Sequence, residues 1–233
     1  MRNVAKFKPR KKDLTDIKHY RIISSRYPPV ALFETLVDPE ELDVLYELES
    51  MTNDRIRQEV GDISLVPVAE RLVGPGSSPV MAAFTHIGND SRFTDGSYGV
   101  YYAGLSHETA IKETCFHRER FLSMTNEPAC DLQMRCYEGK VALPVHDIRS
   151  KTYKTFQSEN VSTYPLCQAF ARNMRTQGSN GLYYASARDC GGECLALFKP
   201  IASSPVKQSK HYIYQWDGKH IHRVYEIKTV LSF

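Results

Sequence analysis

The sequence lacks several features that would assign it to a familiar class. No apolar run approaches the ~18 residues that a membrane-spanning helix needs, and the charged first residues have no apolar core behind them. We therefore expect neither a membrane contact nor a secretory signal. The patterns G-x-x-x-x-G-K-[ST], G-x-S-x-G and H-E-x-x-H are absent, and no strand is followed by G-x-G-x-x-G. These absences exclude the common P-loop, Rossmann, serine-hydrolase and zinc-protease sites.

The six cysteines have neither the spacing of a metal site nor that of a disulfide framework. None forms a C-x-x-C pair, and no two pairs have zinc-finger spacing. Cys190 and Cys194 lie on either side of a Gly-Gly pair, so they could lie near each other across a turn. We expect all six to be reduced and packed as small apolar residues in a cytoplasmic protein that holds no metal.

The net charge of +3 conceals an uneven distribution. Residues 1–12 carry six Lys or Arg and no acid, which leaves 24 basic against 27 acidic residues, a net charge of −3, for the rest. We predict a basic N-terminal arm over residues 1–18, solvated and partly disordered, and one domain over residues 19–233. Because nucleic-acid sites normally show a basic face, this slightly acidic body predicts no direct contact with nucleic acid.

A helical insert is predicted over about residues 34–79. Asp38-Pro39-Glu40-Glu41 is a strong helix start, with a capping Asp and a Pro at the first helical position. A second, short helix is predicted over residues 66–72, before Gly74-Pro75-Gly76. The apolar run over residues 80–87 is predicted to be a buried strand.

The rest of the chain predicts strands mixed with helices. Ser106 is the predicted cap of one helix, and residues 165–176 form another, ended by Gly178. Because the strands and helices follow no βαβ order, we predict the α+β class: a single domain with a mixed, mostly antiparallel β-core flanked by helices. The predicted strands are residues 19–23, 98–103, 130–137 with a partner at 140–145 after a turn at 138–139, 181–186 paired with 193–199, and a C-terminal hairpin over about 211–228.

With the standard motifs absent, four side chains in residues 91–117 and 181–198 are the candidates for a functional site. Arg92 offers a bidentate fork for phosphate or carboxylate, and Tyr102 can stack against a flat ring. Glu113 can stabilise positive charge on a sugar, and Ser186, at a strand end, can position a ligand with its hydroxyl. Each also fits an ordinary role: a surface charge, a core aromatic, a helix contact with His117 four residues on, or a turn residue.

Taken together, these residues resemble the RES domain family, which is named for an Arg, a Glu and a Ser. The resemblance covers roughly residues 20–200, with an inserted segment between 33 and 79. Cys194 stands where the family often has Asn, and Ala185 where Pro is usual. The matching motifs are Arg92 within Ser-Arg-Phe, Val100-Tyr101-Tyr102-Ala103, Glu113 with His117, Tyr184-Ala185-Ser186-Ala187-Arg188 before Gly191-Gly192, and the opening Tyr20-Arg21-Ile22.

The resemblance implies a fold similar to that of ADP-ribosyltransferases and a function as the toxin of a bacterial type II toxin–antitoxin pair. The implied partner is a cognate antitoxin with an Xre-type helix-turn-helix region. RES proteins act on NAD as a substrate and need no metal. Some consume NAD with phosphate or water as the acceptor, and others transfer ADP-ribose to a protein target, so the acceptor is left open here.

The same resemblance gives each candidate residue a role in cleaving the nicotinamide–ribose bond. Glu113 would stabilise the oxocarbenium-like ribose or hold its 2′-OH, and Arg92 would bind the diphosphate. Tyr102 would stack on the nicotinamide or orient its ribose. Ser186 would hold the nicotinamide end, and His117 would orient the carboxylate or contact the ligand.

Two other functions are compatible with parts of the sequence. A ribonuclease-type toxin would use the basic arm together with His and Tyr residues, but the acidic body argues against it. A non-catalytic binding protein would tolerate mutation of the candidate residues. Loss of toxicity in both Arg92→Ala and Glu113→Ala, with folding intact, would exclude this second alternative.

Overall fold

The computed structural model describes residues 4–25, 61–228 and 230–231. In these ranges the chain forms one nine-stranded sheet and three α-helices. The α+β class with a mostly antiparallel sheet is thus confirmed. The predicted helix that begins at Asp38, and most of the predicted insert over residues 34–79, lie outside the described residues. None of the described helices is long and apolar enough to cross a membrane.

The sheet places the second and third strands of the chain near its middle. The strand order is β1-β5-β6-β7-β3-β2-β4-β8-β9. The described pairs are antiparallel, except that β5 runs parallel to β6. The strands are β1 Arg10–Lys12, β2 Lys18–Ser24, β3 Tyr101–Gly104, β4 Cys130–Lys140, β5 Val145–Asp147, β6 Gly181–Ala185, β7 Glu193–Leu197, β8 Lys207–Trp216 and β9 Ile221–Ile227.

The three helices are α1 Ser78–Thr85, α2 His107–Thr125 and α3 Tyr164–Thr176. Ser106 caps α2 as predicted, because its Oγ accepts the backbone N–H of Thr109 at 3.0 Å. Asn126, in the left-handed region with φ 53°, ends α2. The prediction of a helix over residues 165–176 is confirmed by α3.

Side chains of β3 alternate between two hydrophobic clusters on opposite faces of the sheet. Tyr101 joins a cluster with residues of α1, including Met81 and Phe84. Tyr102 packs against a cluster that contains residues of α3, including Phe170. The central strand is therefore buried on both faces, which fixes the position of the side chains at its end.

Two predictions for residues 66–87 were wrong. Residues 80–87 do not form a strand, because α1 spans Ser78–Thr85 and buries Val80 and Met81 completely. A short apolar run cannot distinguish a buried strand from a buried helix by periodicity, and the Pro in the first turn favours a helix start. The helix predicted over 66–72 is a 3₁₀ turn, Val68–Glu70, that follows Pro67.

The predicted turn at residues 138–139 was also wrong. β4 continues without a break to Lys140, and β5 pairs with β1 and β6 instead. Gly139 serves close packing, because a Cβ there would lie 2.7 Å from Cγ1 of Val206 and 2.8 Å from the ring of His19. The glycine was interpreted as a turn residue, whereas it is a contact point inside a strand.

The described part of the predicted N-terminal arm packs on the domain. The Phe7 ring lies 5.0 Å from the Phe156 ring, centroid to centroid, in an edge-to-face arrangement. β1 pairs with β5 at one edge of the sheet, and Leu14 is buried in the core. These contacts anchor the segment to the domain, while the basic side chains of β1 stay exposed to solvent. All six cysteines are free thiols.

Candidate active site

A cleft of about 270 Å³ opens between β2, the end of β3 and α2. Gly104 lets the helix approach the strand, because a Cβ at this position would lie 2.7 Å from the backbone nitrogen of Ala110. Four of the five predicted site residues line this cleft. The lining residues discussed below are Arg21, Arg92, Tyr102, Glu113, His117 and Cys194.

Glu113 lies on the second turn of α2 and is held from the β6–β7 side of the cleft. Its Oε1 accepts a hydrogen bond from the hydroxyl of Ser186 at 2.6 Å and one from the backbone N–H of Ala187 at 3.2 Å. The thiol of Cys194 lies 3.8 Å from the same oxygen. One carboxylate oxygen is therefore fixed by the protein, which orients the whole carboxylate.

Ser186 is set up to donate to this carboxylate. Its Oγ accepts the backbone N–H groups of Arg188 and Asp189, each at 3.0 Å, so the hydroxyl hydrogen points elsewhere, toward Glu113. The sequence predicted that Ser186 holds the nicotinamide end of a ligand. The contact that the structure shows is with Glu113, and it depends on a loop conformation that no local sequence pattern encodes.

Arg92 is buried, and backbone carbonyls fix its guanidinium. Its Nη1 donates to the carbonyl of Ser158 at 2.7 Å and to that of Phe156 at 3.3 Å. The guanidinium carbon lies 5.3 Å from the centroid of the Tyr164 ring. These contacts hold the side chain in one orientation at the cleft wall, as a bidentate anion-binding group requires.

Tyr102 contributes a fixed phenol. Its oxygen accepts the backbone N–H of Phe93 at 3.0 Å and lies 2.8 Å from the Ser91 hydroxyl. Its ring is stacked with the Phe93 ring at a centroid distance of 6.5 Å. Burial raises the pKa of Tyr102, so the phenol stays protonated at neutral pH.

His117 lies one helical turn after Glu113 and keeps part of its surface exposed at the rim. Burial of the ring lowers its pKa, and the guanidinium groups of Arg188, Arg92 and Arg120 lower it further. The Glu113 carboxylate acts in the opposite direction. The net direction favours a neutral imidazole, which can accept one hydrogen bond and donate another.

Arg21 is a cleft residue to which the sequence analysis gave no role. Its Nη1 donates to the carbonyl of Tyr102 at 3.2 Å, and its guanidinium lies 4.7 Å from the centroid of the Tyr101 ring. Among the described residues, its buried Nε has no hydrogen-bond partner. Burial lowers the pKa of Arg21. The available signal was a cation inside the apolar strand segment Tyr20-Arg21-Ile22-Ile23.

The arrangement combines one carboxylate with several cations in a cleft. It can bind an anionic ligand and stabilise positive charge that develops beside the carboxylate. In the part of the chain that the structure describes, no three His, Cys, Asp or Glu side chains gather to hold a metal ion.

The fold and the cleft together define a mixed α+β domain. Its cleft is lined by cations and by the carboxylate of Glu113, which Ser186 and Ala187 hold in place. The model of the RES domain matches residues 68–217, which is more than half of the chain, and the chain belongs to this family. The matched span includes β3, α2 and the β6–β7 loop, and it ends at the turn before β9.

Two further comparisons place the chain among known proteins. It is 28% identical over 214 residues to the uncharacterized protein y4oC of Sinorhizobium fredii, a match that covers 88% of this chain and 86% of that relative. Among solved structures it is similar to a chain of the M. tuberculosis MbcT–MbcA toxin–antitoxin complex. That similarity has a TM-score of 0.40 and 10% identity, covering 87% of this chain and 85% of the other. So weak a likeness supports no functional inference.

Proposed function

We propose that this protein is an enzyme that cleaves the nicotinamide–ribose bond of NAD and serves as the toxin of a toxin–antitoxin pair. The observation that carries the proposal is the Glu113 carboxylate, braced by Ser186 and Ala187 in a cleft that also presents Arg92 and Tyr102. Membership of the RES family supports the proposal.

The chemistry needs little beyond this arrangement. When the bond breaks, the ribose carries oxocarbenium-like positive charge, and the electron pair leaves with nicotinamide, which departs as a neutral group. Oε1 of Glu113 is occupied by its protein donors, so Oε2 is the oxygen that faces the ribose or its 2′-OH. A fixed negative charge at that position lowers the barrier, and a neutral leaving group requires no strong general acid.

The remaining cleft residues bind and orient. Arg92 and Arg21, which both line the cleft, bind the diphosphate. Tyr102 orients the nicotinamide or its ribose through its ring. Ser186 acts through Glu113 rather than directly on the nicotinamide end. His117, as a neutral imidazole, contacts the ligand or the carboxylate at the rim.

The proposal allows two kinds of acceptor for the ADP-ribosyl group. Transfer to a protein side chain makes the protein a mono-ADP-ribosyltransferase, whereas transfer to phosphate or water makes it an NAD phosphorylase or glycohydrolase. Purified protein is incubated with NAD labelled on the adenylate phosphate, with and without phosphate and with a cell lysate. Label on one protein band indicates the transferase, and phosphate dependence of small-product formation separates the other two.

NAD that stays intact under all of these conditions, with protein shown to be folded and free of antitoxin, would refute the enzymatic proposal. The binding of NAD is measured in the same samples by calorimetry. If folded protein neither binds nor consumes NAD, the chain shares the fold of its family but not the proposed activity.

The proposed partner is a cognate antitoxin with an Xre-type helix-turn-helix region. Membership of the RES family supports this partner, since an enzyme that consumes NAD harms its own host unless an inhibitor is present. We expect expression of this protein alone to arrest growth, and co-expression of a short neighbouring reading frame with helix-turn-helix patterning to restore it. Normal growth at a high level of the protein alone would contradict both proposals.

A further inference from the structure

The loop between β6 and β7, residues 186–192, is fastened to α2 by Asp189. We propose that Asp189 is a positioning residue for the reaction, which keeps the Ser186 hydroxyl and the Ala187 N–H aimed at Glu113. The inference rests on the proposed function, because it concerns the same carboxylate. It assigns a role to a residue outside the cleft lining.

The carboxylate of Asp189 binds two side chains of α2. Its Oδ2 accepts the Thr109 hydroxyl at 2.6 Å, and its Oδ1 accepts the Lys112 ammonium at 2.7 Å. Thr109 lies four residues before Glu113, and Lys112 lies directly before it. The attachment is therefore within about one helical turn of the Glu113 carboxylate. Lys112 and Thr109 lower the pKa of Asp189, which keeps it charged at neutral pH.

The backbone of Asp189 then reaches Glu113 through Ser186. The N–H groups of Arg188 and Asp189 donate to Oγ of Ser186, whose hydroxyl donates to Glu113. The path runs from α2 to Asp189, to Ser186 and back to α2, as a closed ring of hydrogen bonds. Such a ring fixes the position of each donor relative to the helix that carries Glu113.

Gly192 shows how closely the loop approaches the helix. A Cβ at this position would lie 2.4 Å from Oδ2 of Asp189 and 2.7 Å from Oγ1 of Thr109. The backbone N–H of Gly192 also donates to the carbonyl of Asp189 at 2.9 Å, and the Asp189 side chain is only 11% exposed. A side chain at 192 is therefore incompatible with this contact, which accounts for the second glycine of the Gly-Gly pair.

Loss of the Asp189 carboxylate releases the loop without removing any ligand-binding group. Arg92 lies in the segment before β3 and Arg21 on β2, so neither depends on the loop. A misplacement of catalytic groups by ~1 Å can cost ~100-fold in rate. We therefore expect the change to lower kcat and to leave KM for NAD nearly unchanged.

The test measures the kinetics of nicotinamide release by the full chain and by variants. Asp189→Ala should lower kcat by ~10-fold to ~100-fold at constant KM. Asp189→Asn should lose less, because its amide oxygen still accepts the Thr109 hydroxyl. The matched control is Asp217→Ala, since Asp217 organises the β8–β9 turn by accepting the N–H groups of Lys219 and His220 at 2.8 and 2.7 Å. This control should leave kcat unchanged.

A double-mutant cycle separates positioning from general stability. If Asp189 acts through Ser186, then adding Asp189→Ala to Ser186→Ala should lower kcat little further, whereas independent effects multiply. Should Asp189→Ala fail to fold, Thr109→Val and Lys112→Met each remove one of its partners and take its place in the measurement.

The outcomes distinguish this inference from the proposed function. A folded wild-type protein that releases no nicotinamide refutes both. An active wild type with unchanged kcat in folded Asp189→Ala, or with unchanged kcat in both replacement variants, refutes only the positioning role. Multiplicative losses in the double mutant also refute it.

Discussion

Glu113 receives its hydrogen bonds on Oε1, from a hydroxyl and a backbone N–H. Gln at this position keeps the size and still accepts those donors, but it removes the negative charge. We expect Glu113→Gln to bind NAD with near-normal affinity and to release nicotinamide at least ~100-fold more slowly, as for loss of one electrostatic group in a preorganised site. Calorimetry with NAD and a nicotinamide assay measure the two quantities.

The matched control for this variant is Glu127→Gln, an exposed carboxylate just beyond the C-terminus of α2, which should turn over NAD normally. Wild-type turnover by folded Glu113→Gln would remove Glu113 from the mechanism.

Arg21 is a cation that lines the cleft together with Arg92. If it binds the diphosphate, Arg21→Gln should raise KM for NAD by ~10-fold or more, because hydrogen bonds to charged groups contribute ~1.5–3 kcal/mol. Arg21→Lys should recover part of the loss, since it restores the charge without the fork. Steady-state kinetics provide the measurement, with Arg223→Gln on exposed β9 as the control. An unchanged KM in Arg21→Gln would show that this cation has a structural role alone.

At this scale the sequence predicted types of residue better than it predicted contacts. The motifs indicated Arg92, Tyr102, Glu113 and His117, and the structure brings these four to one cleft. Their roles stay predictions. Arg21 was assigned no role, although a cation within an apolar strand is an unusual feature. The hydrogen bond from Ser186 to Glu113 joins residues 73 positions apart, and no local pattern reports such a contact.

Among the elements, α2 carries Glu113 and begins at a cap whose hydroxyl contacts both the backbone and the side chain of Thr109. Oγ of Ser106 accepts the N–H of Thr109 and lies 2.8 Å from its hydroxyl. Ser106→Ala should lower the free energy of unfolding by ~1 kcal/mol, and Ser106→Asp should restore most of it because Asp caps equally well. Urea denaturation measures both, and equal stability of all three proteins would contradict the role of the cap.

The elements that the sequence predicted correctly have clear ends. α3 has Pro in its first turn and Gly178 after its end, and α2 has its Ser cap. The errors fell where a local signal had two physical meanings. A short buried apolar run is compatible with a helix such as α1 as well as with a strand. A glycine such as Gly139 can allow close packing inside a strand as well as form a turn.

For the whole molecule, His19 provides a measurable link between pH and stability. It is fully buried between β4 and the segment that contains Ser203, whose hydroxyl lies 3.0 Å from its Nε2. Burial lowers the pKa of His19 to about 4, whereas an unfolded His titrates near ~6.5. The unfolded chain therefore binds the proton first as the pH falls.

Stability should consequently decrease on acidification from about pH 6.5 to about pH 4, by ~3 kcal/mol for this group alone. The free energy of unfolding, measured in urea at a series of pH values, should show this slope. His19→Gln removes the titrating group and should flatten the slope over the same range. An equal slope in both proteins would assign the acid sensitivity to other groups.

The general architecture could be predicted, but the strand order could not. Mixed strands and helices without βαβ order favoured the α+β class, which the sheet confirms. The order β5-β6-β7-β3-β2 arises from packing between distant segments. Phe7 on Phe156 and β1 beside β5 are contacts of this kind, and hydrophobic periodicity does not report them.

The β6–β7 loop that braces Glu113 is one of the last parts of the site to be synthesised. A ribosome that has translated residues 1–185 has already made Arg21, Arg92 and Glu113, but it has not made Ser186, Ala187 or Asp189. β3 also lacks its partner β7 at that moment. A nascent chain thus stays without a complete site until residues 186–192 follow, so Glu113 is made well before the groups that hold its Oε1.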